Sequence, residues 1–216
     1  MYRPGESMRL EDLKRKGFNP STILDIGAHS GQFYRWAKNV WPDAFIWMIE
    51  ANECHADILS NLTNQNNDKY TIATMGDVER EVNLYTRTDK PHTEGASYYK
   101  ESNYWDIPHL VMEIPKKLQT LDELFEGGSE FQLVKLDTQG SELDILRGGV
   151  NLCKKAKAII LEVSYVEYNE GAPLAEEIIN FMKEYGYNNH IEIGEHFSSE
   201  PQWKDIVVQK DLCFYK

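Results

Sequence analysis

VKLDTQGSELDILRGG, residues Val134 to Gly149, shows the chain's organisation most directly. Joined to the residues before it, it begins as FQLVKLD (131 to 137), an apolar run of strand length that ends in an acid. Gly140 marks a turn, and Leu143, Leu146 and Val150 then recur at helical spacing. Strand alternation puts Phe131, Leu133, Lys135 and Asp137 on one side of the strand, and Gln132, Val134 and Leu136 on the other. So apolar a run suits a strand covered on both faces, and a strand that feeds a helix is half of a crossover unit.

The alternation repeats on either side. TILDIG (22 to 27), FIWMIEA (45 to 51), YTIATMG (70 to 76) and AIILEVS (158 to 164) are short, apolar and mostly end in a polar or acidic residue. Between them, Phe33, Trp36, Ala37, Val40 and Trp41 keep helical spacing until Pro42. Thr120 with Glu123 predicts a capping box opening LDELF, which Gly127 and Gly128 end. Pro173, the stripe Ile178, Ile179, Met182 and Tyr185, and Gly186 bound a last helix. NNHIEIG and DLCFYK are strand-like and can pair as an antiparallel hairpin at one sheet edge. The fold class is α/β, a Rossmann-like doubly wound sheet.

Two regions break the pattern. VNLYTR (82 to 87) reads as an extra strand or ribbon, and residues 88–117 are polar and aromatic without clear period. An insertion of that kind is a lid or a surface loop, and its Tyr and Trp residues favour a lid. A single domain over residues 1–216 is expected, with residues 1–20 as a helical lead-in.

The chain has 216 residues and a formal net charge of −12, which argues against nucleic acid, because phosphate-backbone binding depends on clustered Lys and Arg. Its three cysteines, Cys54, Cys153 and Cys213, are widely spaced and point to neither a disulfide framework nor a zinc knuckle; a reducing cytoplasm is the expected location. No apolar run is long enough to cross a membrane.

The first strand runs into Asp25, Ile26, Gly27, Ala28, His29, Ser30 and Gly31 and then a helix, a tight turn at the carboxyl end of a strand, where open α/β sheets bind ligands. Gly27 and Gly31 allow close backbone approach, and the following helix N-terminus favours an anion. Counted from Gly27, the third and sixth places hold His29 and Gln32, so the dinucleotide fingerprint loses two glycines and an NAD-dependent oxidoreductase is disfavoured. The second strand ends in Glu50, Ala51 and Asn52, and an acid there can accept both hydrogen bonds of a ribose diol. Asp77, after the third strand, is placed either to meet an adenine amino group or merely to form a turn.

These residues carry a resemblance. GFNPSTILDIGAHSGQF, IEAN, TLDEL, VKLDTQGSELDILRGG, AIILEVS and DLCFYK together resemble the FkbM family of class I S-adenosyl-L-methionine-dependent methyltransferases, from about Leu13 to Phe214. The pattern Lys135, Asp137, Gly140, Glu142 discriminates best, and the segment from Thr88 to Lys117 matches poorly. The resemblance implies a sheet of about seven strands with a reversed last strand. It implies S-adenosyl-L-methionine held by Asp25, Gly27 and Gly31 at its methionine part, Glu50 at the ribose and Asp77 at the adenine. Ala28, Ala51, His29 and Ser30 belong to the same cofactor loops; His29 is equally a turn residue facing solvent. The reaction implied is O-methylation of a small hydroxylated acceptor, a sugar or secondary metabolite.

An alcohol nucleophile must lose its proton, to a carboxylate, to a histidine or through a metal. Asp137 and Glu162 are the candidates for this catalytic chemistry, with a divalent cation held by both as an alternative. A buried Lys135 needs a carboxylate partner, taken from Asp137, Glu142 or Glu162. Glu142, in a first helical turn, reads as structural, and His190, Glu192, Glu195 and His196 read as surface. His92 and His109 in the insertion are further candidates for the base. A binding module that keeps the cofactor pocket without catalysis is the competing function. Neither the acceptor nor the oligomeric state can be read from these residues.

Overall fold

The computed structural model describes residues 10–64, 66–90, 92, 95–102, 107–197 and 206–216. In chain order the elements begin with α1 (Leu10–Arg15), β1 (Thr22–Ile26), α2 (Gln32–Val40), β2 (Phe45–Glu50), α3 (Ala56–Thr63), β3 (Lys69–Ile72), β4 (Thr74–Met75) and β5 (Glu81–Arg87). They continue with β6 (Val111–Gln119), α4 (Leu121–Leu124), β7 (Leu133–Leu136), α5 (Glu142–Gly148), α6 (Val150–Lys155), β8 (Ala158–Ser164), α7 (Ala175–Glu184), β9 (Asn189–Phe197) and β10 (Val207–Tyr215).

Seven strands form the main sheet in the order β3-β2-β1-β7-β8-β10-β9. The first five run parallel, and β10 is antiparallel to both β8 and β9. The reversed last strand is therefore present, wedged between β8 and β9. Both faces are covered. Leu24, Val134, Leu136, Ile159 and Leu161 pack toward α4 to α7 with Leu143, Leu146, Ile178 and Met182. Ile23, Ile46, Met48, Leu133 and Ile160 pack toward α1 to α3 with Leu13, Ala37, Val40 and Leu59. Each such Leu, Ile, Val or Met side chain, buried fully, stabilises the fold by about 1.5–3 kcal/mol.

Several expectations are refined. The helix after Gly31 buries Tyr34, Ala37 and Val40, while Trp36 faces outward. The capping box of Thr120 and Glu123 is present. Asp122 of the same short helix accepts hydrogen bonds from the backbone N–H groups of Asn151 and Leu152, each at 3.0 Å, and so caps α6. Pro173 precedes the last helix, which begins at Ala175. α3 was not expected.

The segment after β5 is not aperiodic throughout. Val111 to Gln119 form β6, which pairs with β5 from Val111 to Lys117 and with β4 at Leu118 and Gln119. Pro115 lies where β4 does not reach, so its missing N–H breaks no ladder bond there. Of the lead-in and the insertion, residues 1–9, 91, 93–94 and 103–106 lie outside the described residues.

Candidate functional site

β1, β2, β7 and β8 are parallel and all end on the same side of the sheet, so the loops that leave them gather there. The β1 loop is built on close approach. The N–H groups of Gly27 and Ala28 both donate to Ile49 O, at 2.9 and 3.0 Å, which ties the loop to β2. Gly27 has φ 75°, and a Cβ there would lie 1.8 Å from the carbonyl oxygen of Asp137, so only glycine lets the β1 and β7 loops meet. His29, also at positive φ (48°), donates its N–H to Glu50 Oε2 at 2.7 Å. Asn52 N–H donates to Glu50 Oε1, also at 2.7 Å. Burial raises the Glu50 pKa against these two bonds. Each of its oxygens retains a second acceptor site, enough for a diol. The N–H groups of Gly27, Ala28 and His29 in the turn are thus already used within the protein, before the helix that opens at Gln32.

Asp25 is fully enclosed, and neither carboxylate oxygen has a hydrogen-bond partner among the described residues. Its neighbour across the β1–β7 ladder is Lys135, whose Nζ stands 3.5 Å from Asp25 Oδ1, 3.2 Å from Asp137 Oδ2 and 3.3 Å from Gly27 O. Lys135 is therefore paired with Asp25 and Asp137, and not with Glu142 or Glu162. Burial lifts the Asp25 pKa to about 6 even though Lys135 pulls it down. At Lys135 burial works the other way, and the two carboxylates overcome it and raise the ammonium's pKa. Asp137, whose side chain is 38% exposed, is the accessible member of the trio. Burial pushes its pKa up, but Lys135 and Gln139 outweigh that and hold it below the usual carboxylate value.

The β7 loop turns through two consecutive positive φ values, Gln139 at 54° and Gly140 at 100°. A non-glycine residue in that region costs about 1–2 kcal/mol. The turn sets the Gln139 amide between two carboxylates, with Nε2 3.0 Å from Asp137 Oδ1 and 2.7 Å from Glu162 Oε2. Glu142 holds the turn from below, accepting from Thr138 N (2.6 Å), Thr138 Oγ1 (3.0 Å) and Gly140 N (3.0 Å). Burial nonetheless raises its pKa to about 7. Its expected structural role fits this geometry.

Glu162 lies two residues before the end of β8, the neighbour of β7, and is linked to Asp137 through the Gln139 amide. It accepts from Gln209 Nε2 at 3.0 Å and lies 3.5 Å from His196 Nε2. Burial first, then repulsion from Asp137, Asp211 and Glu142, pushes its pKa well above the usual value. His196 is half-buried rather than a surface residue: its Nε2 is 3.1 Å from Asp211 Oδ2, and that contact raises its pKa against the effect of burial. Gly194 makes room for this, since a Cβ there would meet Asp211 Oδ2 at 2.3 Å. Gln139, Gln209, His196 and Asp211 were missed as site residues. Seeing Gln139 requires knowing that β8 lies beside β7, and seeing the other three that β10 lies between β8 and β9, which no local pattern reveals.

Asp77 follows β4 and is hydrogen-bonded to Arg80, whose guanidinium also lies 3.8 Å from Asp144. Asp144 accepts from the hydroxyls of Tyr98 (3.2 Å) and Tyr99 (2.9 Å), so the insertion is fastened to the start of α5. Of the insertion's histidines, His92 is drawn to the β1 loop, its carbonyl 3.0 Å from His29 Nε2, whereas His109 sits in a short 3-10 turn outside it. Ser30 and Ala51 lie half-buried in the two loops.

A family model described as the methyltransferase FkbM domain matches residues 25–188, well over half of the chain. Among curated proteins none matches. A solved FkbM methyltransferase from Methylobacillus flagellatus KT is 16% identical with a TM-score of 0.52, covering 90% of this chain and 43% of its own length. This chain thus spans less than half of that relative. A candidate RNA methyltransferase from Pyrococcus horikoshii is 11% identical with a TM-score of 0.51, over 96% of this chain and 80% of its own. An O-methyltransferase from Bacillus cereus, in complex with SAH, is 14% identical with a TM-score of 0.50, over 94% and 77%. At these identities the likeness is one of fold, that of Rossmann-like methyltransferases. With its domain matched from Asp25 onward, the chain belongs to the FkbM methyltransferase family.

Proposed function

We propose that this chain is an S-adenosyl-L-methionine-dependent O-methyltransferase that acts on a hydroxyl of a small acceptor, a sugar or secondary metabolite. The observation that supports it most is the pairing of an orphaned acid, Asp25, with a half-exposed one, Asp137, through the single cation Lys135 at the end of β1 and β7. The donor set fits the cofactor. The Asp25 carboxylate, which among the described residues makes no hydrogen bond and has only Lys135 as a cation beside it, suits an ammonium at the end of β1, and the spare acceptor sites of Glu50 suit a ribose diol. Asp25, Gly27, Ala28, His29, Ser30 and Gly31 would hold the methionine part, Glu50 and Ala51 the ribose, and Asp77 the adenine.

When bound, the cofactor supplies an electrophilic methyl group: the new O–CH3 bond forms as the sulfonium S–CH3 bond breaks. The rest falls to the protein. Asp137, kept charged by Lys135, accepts a hydrogen bond from a second hydroxyl of the acceptor and orients the molecule, which leaves the proton of the reacting hydroxyl to Glu162. Glu162 shares Gln139 with Asp137 and has the higher proton affinity, so it receives the proton. Gln139 fixes the spacing of the two carboxylates, and the insertion fastened by Tyr98 and Tyr99 excludes water.

The test is incubation of the wild type and Asp137→Asn with methyl-labelled S-adenosyl-L-methionine and a panel of sugars and hydroxylated metabolites, with product structures determined. An O-methylated product that disappears with Asp137→Asn, while cofactor affinity stays within a few-fold, is expected. Label on nitrogen or carbon would overturn the O-methylation, and an undiminished product from the variant would overturn the role of Asp137.

A further inference from the structure

Three side chains with metal-binding atoms converge where the insertion meets the β2 loop. The 3-10 turn Glu53–His55 follows β2 and is opened by Asn52, whose side chain accepts from Cys54 N at 3.2 Å. That turn presents two potential ligands in succession, Cys54 and His55. His92 comes from the insertion. Its ring centroid is 5.3 Å from that of His55, and its carbonyl oxygen lies 3.0 Å from His29 Nε2. One ligand atom from each of Cys54, His55 and His92 can be chosen such that all lie within 4.8 Å of one another.

His55 supplies the second, independent observation. It is only 2% exposed, and its Nε2 has no hydrogen-bond partner among the described residues. A buried ring nitrogen without a partner is costly, by about 1–3 kcal/mol, and the cost disappears if the nitrogen coordinates a metal. The ring of His29 packs on that of His55 at 4.2 Å between centroids and supports it from the opposite loop.

We propose that Cys54, His55 and His92 form a transition-metal site of the zinc type, which ties the insertion to the loop after β2. One thiolate and two imidazoles match the preference of Zn2+ for sulfur and nitrogen, and exclude Mg2+ and Ca2+, which take oxygen. On a tetrahedral zinc ion such ligands stand roughly 3.3–3.6 Å apart, as the usual Zn–N and Zn–S lengths require. Cys54 is exposed and His92 lies at the surface, so both can close that remaining gap by side-chain rotation. Binding releases the Cys54 thiol proton to solvent and leaves a fourth position open. The assignment is independent of the proposed methyl transfer, in which Asp137 and Glu162, and not these three residues, handle the acceptor.

Sequence offers no warning of such a site. Cys54 and His55 are adjacent, without the usual ligand spacing, and His92 lies in the least periodic part of the chain.

The test is titration of the full chain, freed of metal by chelator, with Co2+ followed by absorbance and with Zn2+ against a chromophoric chelator. One equivalent is expected to bind, with visible cobalt bands and a thiolate charge-transfer band. Cys54→Ser should remove the charge-transfer band, and His92→Ala should weaken binding at least ten-fold. His92 is exposed, so this variant tests the site even if His55→Gln fails to fold. His196→Ala, which breaks up the other histidine-containing cluster, Glu162, His196 and Asp211, should leave the titration unchanged. Absence of stoichiometric binding, binding unaffected by His92→Ala, or binding lost with His196→Ala would each overturn the assignment.

Discussion

Lys135 and Asp25 are direct partners across the β1–β7 ladder, and the ammonium lies 3.5 Å from a carboxylate that has no other partner among the described residues. Lys135 is also the sole ion-pair partner of Asp137 among them, at 3.2 Å. Removing one member of a buried pair leaves the other charge uncompensated. Lys135→Met, which keeps the stem and deletes the charge, should therefore cost about 3–5 kcal/mol. Urea unfolding at pH 8 measures it, and a loss below about 1 kcal/mol would show that the trio is not held by this cation.

Asp25 should also give the protein a pH signature. Its folded pKa is raised from 3.8 to about 6, so the native state holds this proton more tightly than the unfolded chain does. The resulting stabilisation is complete below about pH 4 and is lost as pH rises through about 6, by an amount on the order of 3 kcal/mol. Asp25→Asn has no such proton to lose. Measured against the wild type from pH 4 to 7, the variant should gain relative stability as pH rises. A pH-independent difference would contradict the burial of a titrating Asp25. Glu142 and Glu162 titrate in the same direction in both proteins and cancel in the comparison.

Glu162→Gln preserves a polar side chain between Gln139 and Gln209 but cannot take a proton. With an acceptor that the wild type turns over, kcat should fall by about 10^2 to 10^4 while cofactor affinity is unchanged. The acidic limb of the pH–rate profile, set by the raised pKa of Glu162, should vanish with it. An unchanged kcat and profile would assign proton removal to another group, with His196 the next in reach.

Gly27 and Gly171 share positive φ, 75° and 69°, but differ in surroundings. A Cβ at Gly27 meets Asp137 O at 1.8 Å, whereas at Gly171 nothing lies within 4 Å. Gly171→Ala should cost about 1–2 kcal/mol, from backbone strain alone. Gly27→Ala should cost several times more, or prevent folding, because the β1 and β7 loops must separate. Thermal denaturation of the two variants side by side measures the contrast, and equal costs would contradict it.

The parallel part of the fold was legible because its strands are buried on both faces and therefore read as continuous apolar runs, TILDI and LVKL among them. β6 was not legible. VMEIPKKLQ is largely exposed or half-exposed, carries a proline and gains its identity only by pairing with β5. α3 was hidden for a related reason: in ADILSNLT only Leu59 and Thr63 are buried, and Ile58 faces outward. At the site, Asp25, Gly27, Glu50, Asp137 and Glu162 could be singled out because each marks a strand end or a tight turn. Their pairing could not, since the link from Lys135 to Asp25 depends on β7 lying beside β1. His196 and Asp211 come together only because Gly194 admits the Asp211 side chain from β10.

Calorimetric titration of the full chain with S-adenosyl-L-methionine, S-adenosyl-L-homocysteine and NAD tests the proposed activity most directly. One site binding the first two, with affinity reduced at least ten-fold in Asp25→Asn and no heat from NAD, is the predicted result. Heat from NAD alone, or no binding of either adenosyl compound, would contradict it.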